Sequence, residues 1–304
     1  MRGSELAGNP ASSDASCHGS FGELLQGALP EHGPFLVTLP IELRARARFV
    51  VTDSLRELSV HPESSWKSLR LAEALLRRYA LPLRGELTLA SEIPRGKGLA
   101  SSTADLVAAY RALARFHHLP QDTEVLESLL REIEPSDGVM HESVVAYRHR
   151  EARLLERLGP VPALALVAVD EGGAVETLTH NQHDPGYSAG ESDEFVALLA
   201  RLRQAFRDGD LAAIGAVATR SAEMNQRILP KRALGAMIGV AAAVGARGVV
   251  VAHSGTCLAL MIDALDEGRD DRIRAASERL RALGLHPMTF ATLHSGVLRE
   301  PAHV

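Results

Sequence analysis

The stretch PRGKGLASSTAD, residues 94–105, sets Gly96, Gly98, Ser101, Ser102 and Thr103 directly ahead of the helical run DLVAAYRALARFHH. Small residues bury little and cost backbone entropy, and a plain strand-to-helix turn needs only one glycine and one cap. What the extra ones allow is close approach of backbone to a ligand. The first N–H groups of a helix have no partner inside it, and the helix dipole adds partial positive charge at the same place. An anion is the natural guest, phosphate above all. Two familiar phosphate patterns fail here. A P-loop needs GxxxxGK followed by Ser or Thr, but Gly98 follows Lys97 and position 91 is Ser. A GxGxxG fingerprint fails because Ser101 stands at its last glycine. The protein-kinase set is missing too, with HRE at 149–151 and no DFG.

Working outward, GELTLASEI alternates Leu87, Leu89 and Ile93 as a strand entering the turn, and FLVTLPIELRARARFVV (35–51) alternates arginine with apolar residues. WKSLRLAEALLRRYA carries apolar residues at helical spacing. VLESLLREIE reads as a helix stopping at Pro135, and Ser136 or Asp137 as the N-cap of a further helix through GVMHESVVAYRHREARLLERL. GPVP, 159–162, marks the boundary between two halves, 16–158 and 159–304, with 1–15 as a flexible leader. Beyond it come a buried strand ALALVAV, an edge strand AVETLTH, a loop over 181–193, helices over 193–207, 210–226 and 231–244, and then strand, turn, strand, helix and strand to the end. Strands and helices alternate without a doubly wound series, so the fold class is α+β, two sandwiches.

Composition narrows the function. The chain has 304 residues, 46% of them hydrophobic, enough for a sizeable core. A net charge of −5 with no Lys/Arg run argues against a nucleic-acid partner. The most apolar stretch, LGAMIGVAAAVGARGVVVA, is broken by Arg247 and glycines and reads as buried helix and strand, with no membrane partner. Two distant cysteines, Cys17 and Cys257, make no disulfide framework and suit a reducing cytoplasm. There is no HExxH for zinc and no GxSxG elbow around Ser20 or Ser254.

The turn resembles the pattern PxxxGLxSSxA through Pro94, Gly98, Leu99, Ser101, Ser102 and Ala104. That is the ATP-binding motif of the GHMP kinases, the superfamily of galactokinase, homoserine kinase, mevalonate kinase and phosphomevalonate kinase. GSFGELLQG near the N-terminus, EPSDGVM (134–140) and HSGTCLAL (253–260) resemble the superfamily's other elements in order. GELLQG, KGLASSTAD, IEPSDG and NQRILPK look most like its L-threonine kinase branch. The resemblance implies a two-domain GHMP kinase fold, with an N-terminal ribosomal protein S5 domain 2-like half and a C-terminal ferredoxin-like α/β sandwich. It implies ATP and Mg²⁺ as cofactors, a small amino-acid substrate, and a place in cobalamin side-chain synthesis; it leaves a homodimer open.

On that reading Pro94, Lys97, Gly98, Leu99, Ala100, Ser101, Ser102 and Thr103 bind the nucleotide, with Lys97 adding charge. Magnesium takes one or two carboxylates beside phosphates, which points to Glu134 with Ser102; Glu127 is the alternative. The resemblance puts Asp137 at the substrate hydroxyl, as base or as orienting group. Ser101, Glu134 and Asp137 form the catalytic set. An amino acid needs an acceptor for its ammonium, which suits Glu23. Gln26 or Ser20 serves its carboxylate or hydroxyl. Glu23 and Gln26, three apart, share one face if this is a helical turn. Ser254 and Gly255 approach the substrate by resemblance, with Asn181 and Asn225 as further contacts. The alternatives are a GHMP kinase for another hydroxylated amino acid, such as homoserine, and a nucleotide-binding regulator without turnover.

Overall fold

Arg46 and Arg48 face solvent while Ala45, Ala47 and Phe49 between them are buried. This half-buried alternation builds β2 (Gly33–Val50), which pairs antiparallel along its length with β1 (Ser12–Leu29). The computed structural model describes residues 12–173 and 186–293. Ser12 to Ala15 pair with Val50 to Ala47, so these four residues belong to the sheet and not to the leader.

The sheet grows on both sides of this pair. β4 (Gly85–Ser91) adds antiparallel to β2, and β3 (Leu58–His61) adds parallel to β4. On the other side Glu23 of β1 pairs with Val251 of β8 (Gly248–Val251). That pair carries the sheet into the C-terminal half, through β9 (Cys257–Asp263), β7 (Leu164–Asp170) and β10 (Met288–Ala291), and an isolated bridge between Ile41 and Thr292 adds a second link. Among the described residues the result is a mixed, ten-stranded α+β sheet.

Helices cover it. α1 (Trp66–Arg78) packs on α2 (Ser101–Phe116), which lies across β1 and β2; α3 (Thr123–Arg131) follows. α4 (Ala189–Asp208) and α5 (Leu211–Met224) cover β1 from the second half, while α6 (Leu234–Val244) backs β8 and β9 and α7 (Arg269–Ala282) backs β7 and β9. β7 is buried on both faces. Leu164, Leu166 and Ala168 join the main core; Ala165, Val167 and Val169 join a second cluster under α6 and α7. An unbroken apolar run is what such a strand requires.

The segment after Asp137 departs from the expected helix. It forms a hairpin, β5 (Val144–Arg148) and β6 (Arg153–Gly159), with β5 also pairing to Leu36 and Val37 of β2. The leucines at 154, 155 and 158 imitate helical spacing. Two β-branched valines and the fully buried Tyr147 prefer the pleated surface that β2 offers. Regular helix in the preceding stretch stops at Arg131, although the Glu134 amide still donates to the Leu130 carbonyl. Glu134 and Asp137 thus lie on an irregular connection between helix and hairpin. In the second half α4 begins at Ala189 behind a Ser188–Glu191 capping box, so only the start of the 181–193 loop remains, and 181–185 lie outside the described residues. The edge strand AVETLTH also lies outside them.

Candidate active site

β4 runs into the glycine turn, which delivers its amides to the start of α2. Gly96, Gly98 and Ala100 all have positive φ, 72°, 76° and 61°. The turn's carbonyls are tied down: Leu99 accepts from the Ser20 amide at 3.2 Å and Lys97 from the Thr256 amide at 3.3 Å. Its amides are not. Among the described residues, those from Gly98 to Thr103 donate to no protein acceptor. α2 has no acidic residue in its first turn to offset its dipole.

These amides face a cavity of about 450 Å³, a size suited to a small-molecule ligand. Its wall includes Ser101, Ser102, Glu134, Asp137, Ser254 and the start of α1. Glu134 is buried and its carboxylate is held from two sides. Oε1 accepts from the Ser102 hydroxyl and Oε2 from the Lys67 ammonium. The amide of Asp137 donates to Thr103 Oγ1 at 3.3 Å. Burial pushes the Asp137 carboxyl up to about 7, and the negative charges of Glu23 and Glu134 act in the same direction.

Asp137 and Ser254 also line a second recess of about 20 Å³, shared with Glu23, Gln26 and Leu36. That is room for one small polar group. Glu23 and Gln26 reach it from a strand and not from a helical turn. In a regular strand, residues three apart face opposite ways. Here Glu23 pairs with Thr38 and Leu25 with Val37, one extra residue on β1. This bulge returns Gln26, opposite Leu36, to the side of Glu23. Gly22, at φ 54°, makes the bend; a Cβ there would sit 2.3 Å from the Val251 carbonyl oxygen.

Several expected residues have other duties. The Ser20 hydroxyl is consumed within the bulge, donating to the Gly22 carbonyl at 2.9 Å and accepting from the Leu39 amide at 3.0 Å. Lys97 turns away from the cavity to Asp170, at 2.6 Å, and to the Gly173 carbonyl. Pro94 is exposed and only opens the turn; Leu99 is buried and anchors it. Asn225 donates to the Gln26 and Ser221 carbonyls and accepts from Tyr187, which leaves it a structural clamp. Asn181 lies outside the described residues. The Glu127 carboxylate serves the Leu154 amide of the hairpin.

Two residues that the sequence did not single out complete the picture. His253 donates both its backbone N–H and Nδ1 to Glu23 Oε2, at 3.0 and 2.9 Å, fixing that carboxylate from one side. Buried Lys231 donates to the Gly255 carbonyl, so the loop over 253–256 is pinned on one side while its Thr256 amide bonds the glycine turn on the other.

Free amides at a helix start, a buried carboxylate beside their hydroxyls and a second carboxylate at a side recess form an arrangement that could position a phosphorylated ligand beside a small polar group. Residues 67–143 match the family model of the GHMP kinases N terminal domain. The particular relatives are equally pointed. The chain is 28% identical over 262 residues to the L-threonine kinase of Salmonella typhimurium, covering 82% of each. It is 27% identical to that of Citrobacter freundii, covering 82% of this chain and 86% of the relative. The fold matches homoserine kinase from Cytophaga hutchinsonii with a TM-score of 0.71 at 12% identity over 96% of this chain and 97% of the other. It matches L. major mevalonate kinase at 0.70 and 16%, over 93% and 97%. Residues 67–143 thus carry a GHMP kinases N terminal domain, and the chain has the fold of these solved kinases. No helix among the described residues is long and apolar enough to cross a membrane.

Proposed function

We propose that the protein phosphorylates the side-chain hydroxyl of L-threonine with ATP, giving L-threonine O-3-phosphate and ADP. The observation that carries this is Asp137, on the wall common to the phosphate-turn cavity and the recess of Glu23 and Gln26. The turn amides hold the triphosphate. The hydroxyl oxygen bonds to the γ-phosphorus as the bond to the β-bridging oxygen breaks, and the hydroxyl proton passes to Asp137. A carboxyl poised near 7 suits that task. Glu23 has one oxygen, Oε1, clear of His253, and this oxygen receives the substrate ammonium. Gln26 and Ser254 orient the carboxylate.

The donor set fits magnesium. Ser102 and Glu134 are in contact in the cavity wall, and Mg²⁺ is bound through one or two carboxylates plus substrate phosphates and waters. Bound there, it would neutralise charge on the phosphates. The threonine choice is supported by the names of the two bacterial relatives. Their activity also suggests the route, provision of a phosphorylated amino acid for the cobalamin side chain. Buried, unpaired Cys17 and Cys257 are in keeping with a cytoplasmic setting.

The test is an ADP-release screen across threonine, serine, homoserine and hydroxylated analogues. A missing methyl is worth about 10- to 200-fold in kcat/KM, so threonine should exceed serine by about tenfold or more. Equal turnover of all three removes the threonine assignment; ADP release with none removes the kinase. The same assay run against pH reports the proton acceptor. Because Asp137 must be ionised to accept a proton, kcat/KM should climb with pH and level off above about 7. A flat profile through that range would take the proton away from Asp137.

A further inference from the structure

Lys67 is the second residue of α1, whose first turn faces the cavity. A cation in a first turn runs against the helix dipole, and α1 has no acidic residue there to offset it. Local helix energetics therefore give no reason for a lysine. The reason lies across the cavity, where its ammonium donates to Glu134 Oε2. The other oxygen of the same carboxylate takes Ser102. Lys67 thus sits on the pair of residues whose chemistry suits a nucleotide-borne magnesium ion.

Two cations line the cavity among the described residues, Lys67 and Arg95. Arg95 is committed to the buried Asp105 carboxylate at 3.2 Å. Lys67 has three donors, of which Glu134 uses one, on a flexible stem, and its side chain keeps 23% exposure. Of the two, Lys67 is the one that sits on the Ser102–Glu134 pair.

We propose that Lys67 is a phosphate-contacting residue. It neutralises Glu134 while the site is empty, and it transfers to the γ-phosphoryl oxygens when nucleotide arrives and Glu134 turns to the cation. This rests on the kinase reading above. The exchange keeps each charge matched at every stage: a buried carboxylate is never left bare, which would be costly. It also puts a mobile ammonium on the group being transferred, where a loose transition state spreads negative charge over three equatorial oxygens.

A purely structural role, tying α1 to the connection at Glu134, would weaken all nucleotides alike. A γ-phosphoryl contact would weaken triphosphates alone. The test is calorimetry on the full chain with magnesium, using ADP and a non-hydrolysable β,γ-imido triphosphate. It is run on wild type, K67M, E134Q and K67M/E134Q; the double variant removes both charges of the pair, so a folded protein is available if K67M alone fails to fold. One charge-assisted hydrogen bond to phosphate makes the triphosphate preference over ADP fall about tenfold on losing the lysine, on the native or the E134Q background. An unchanged preference on both backgrounds overturns the proposal while leaving the kinase reading standing. Wild type that binds neither nucleotide overturns the kinase reading itself.

Discussion

Glu134→Gln should lower kcat by about a hundredfold or more while the protein stays folded, because positioned charge around the transferring group is a large catalytic contribution. Glutamine has the shape of glutamate, and its amide oxygen can still accept from the Ser102 hydroxyl. What disappears is the negative charge that would hold the cation against the phosphates. Lys67 loses its partner as well, yet at 23% side-chain exposure it has a path to water. The loss of stability therefore falls short of the about 3–5 kcal/mol seen when a fully buried pair is broken. Steady-state kinetics over a magnesium titration separates the effects: kcat drops, and the magnesium concentration for half-maximal rate rises. A variant with native turnover at ordinary magnesium would remove Glu134 from the chemistry.

Why the sequence points to Glu134 and Asp137, and not to Lys67, among the residues that line the cavity follows from where the information sits. The glycine turn declares itself locally, since two glycines and three hydroxyls in a row exceed what an ordinary turn needs. The segment at 134–137 is punctuated by proline, so its two acids were visible as fixed groups even though the helices assumed on either side were wrong in extent. The β5–β6 hairpin was hidden because RLLERL has helical spacing; its true partner, the Leu36–Val37 stretch of β2, is more than a hundred residues away in sequence. Glu23 and Gln26 were placed on one face for the wrong reason. Residues three apart share a face on a helical turn, whereas here a bulge in β1 achieves the same result on a strand. Lys97 illustrates the opposite error. Adjacency to the turn suggested phosphate, but its side chain follows the charge of Asp170 in the other half. Pairings such as Lys67 with Glu134 and Lys231 with Gly255 are tertiary; the one local hint was a lysine at a helix start, where the dipole disfavours it.

The contact between those two halves leads to the other large expected effect. Gly255→Ala should abolish tight nucleotide binding without any change in charged or hydrogen-bonding side chains. A Cβ at position 255 would lie 2.0 Å from the Lys97 carbonyl oxygen, 2.1 Å from its carbon and 2.3 Å from the Gly98 nitrogen. All three are backbone atoms, so no side chain can swing aside. The turn cannot retreat easily either. Gly98 is held at φ 76°, and its own Cβ position is 2.9 Å from Gly255 and 2.7 Å from the Ala252 Cβ. On the far side, Lys231 fixes the Gly255 carbonyl from beneath. The methyl must therefore force the glycine turn and the 253–256 loop apart. A misplacement of about 1 Å in a positioning element can cost about a hundredfold in rate, and overpacking adds about 1–3 kcal/mol of destabilisation. Gly239→Ala is the matched control: it lies inside α6 with nothing within 4 Å of its Cβ position, and a helix-interior alanine there should stabilise by about 0.5–1 kcal/mol. Denaturant unfolding and nucleotide calorimetry on both variants decide the matter. If G255A binds the triphosphate as wild type does, then the register of this loop against the turn does not shape the phosphate cradle, and the turn amides alone must hold the ligand.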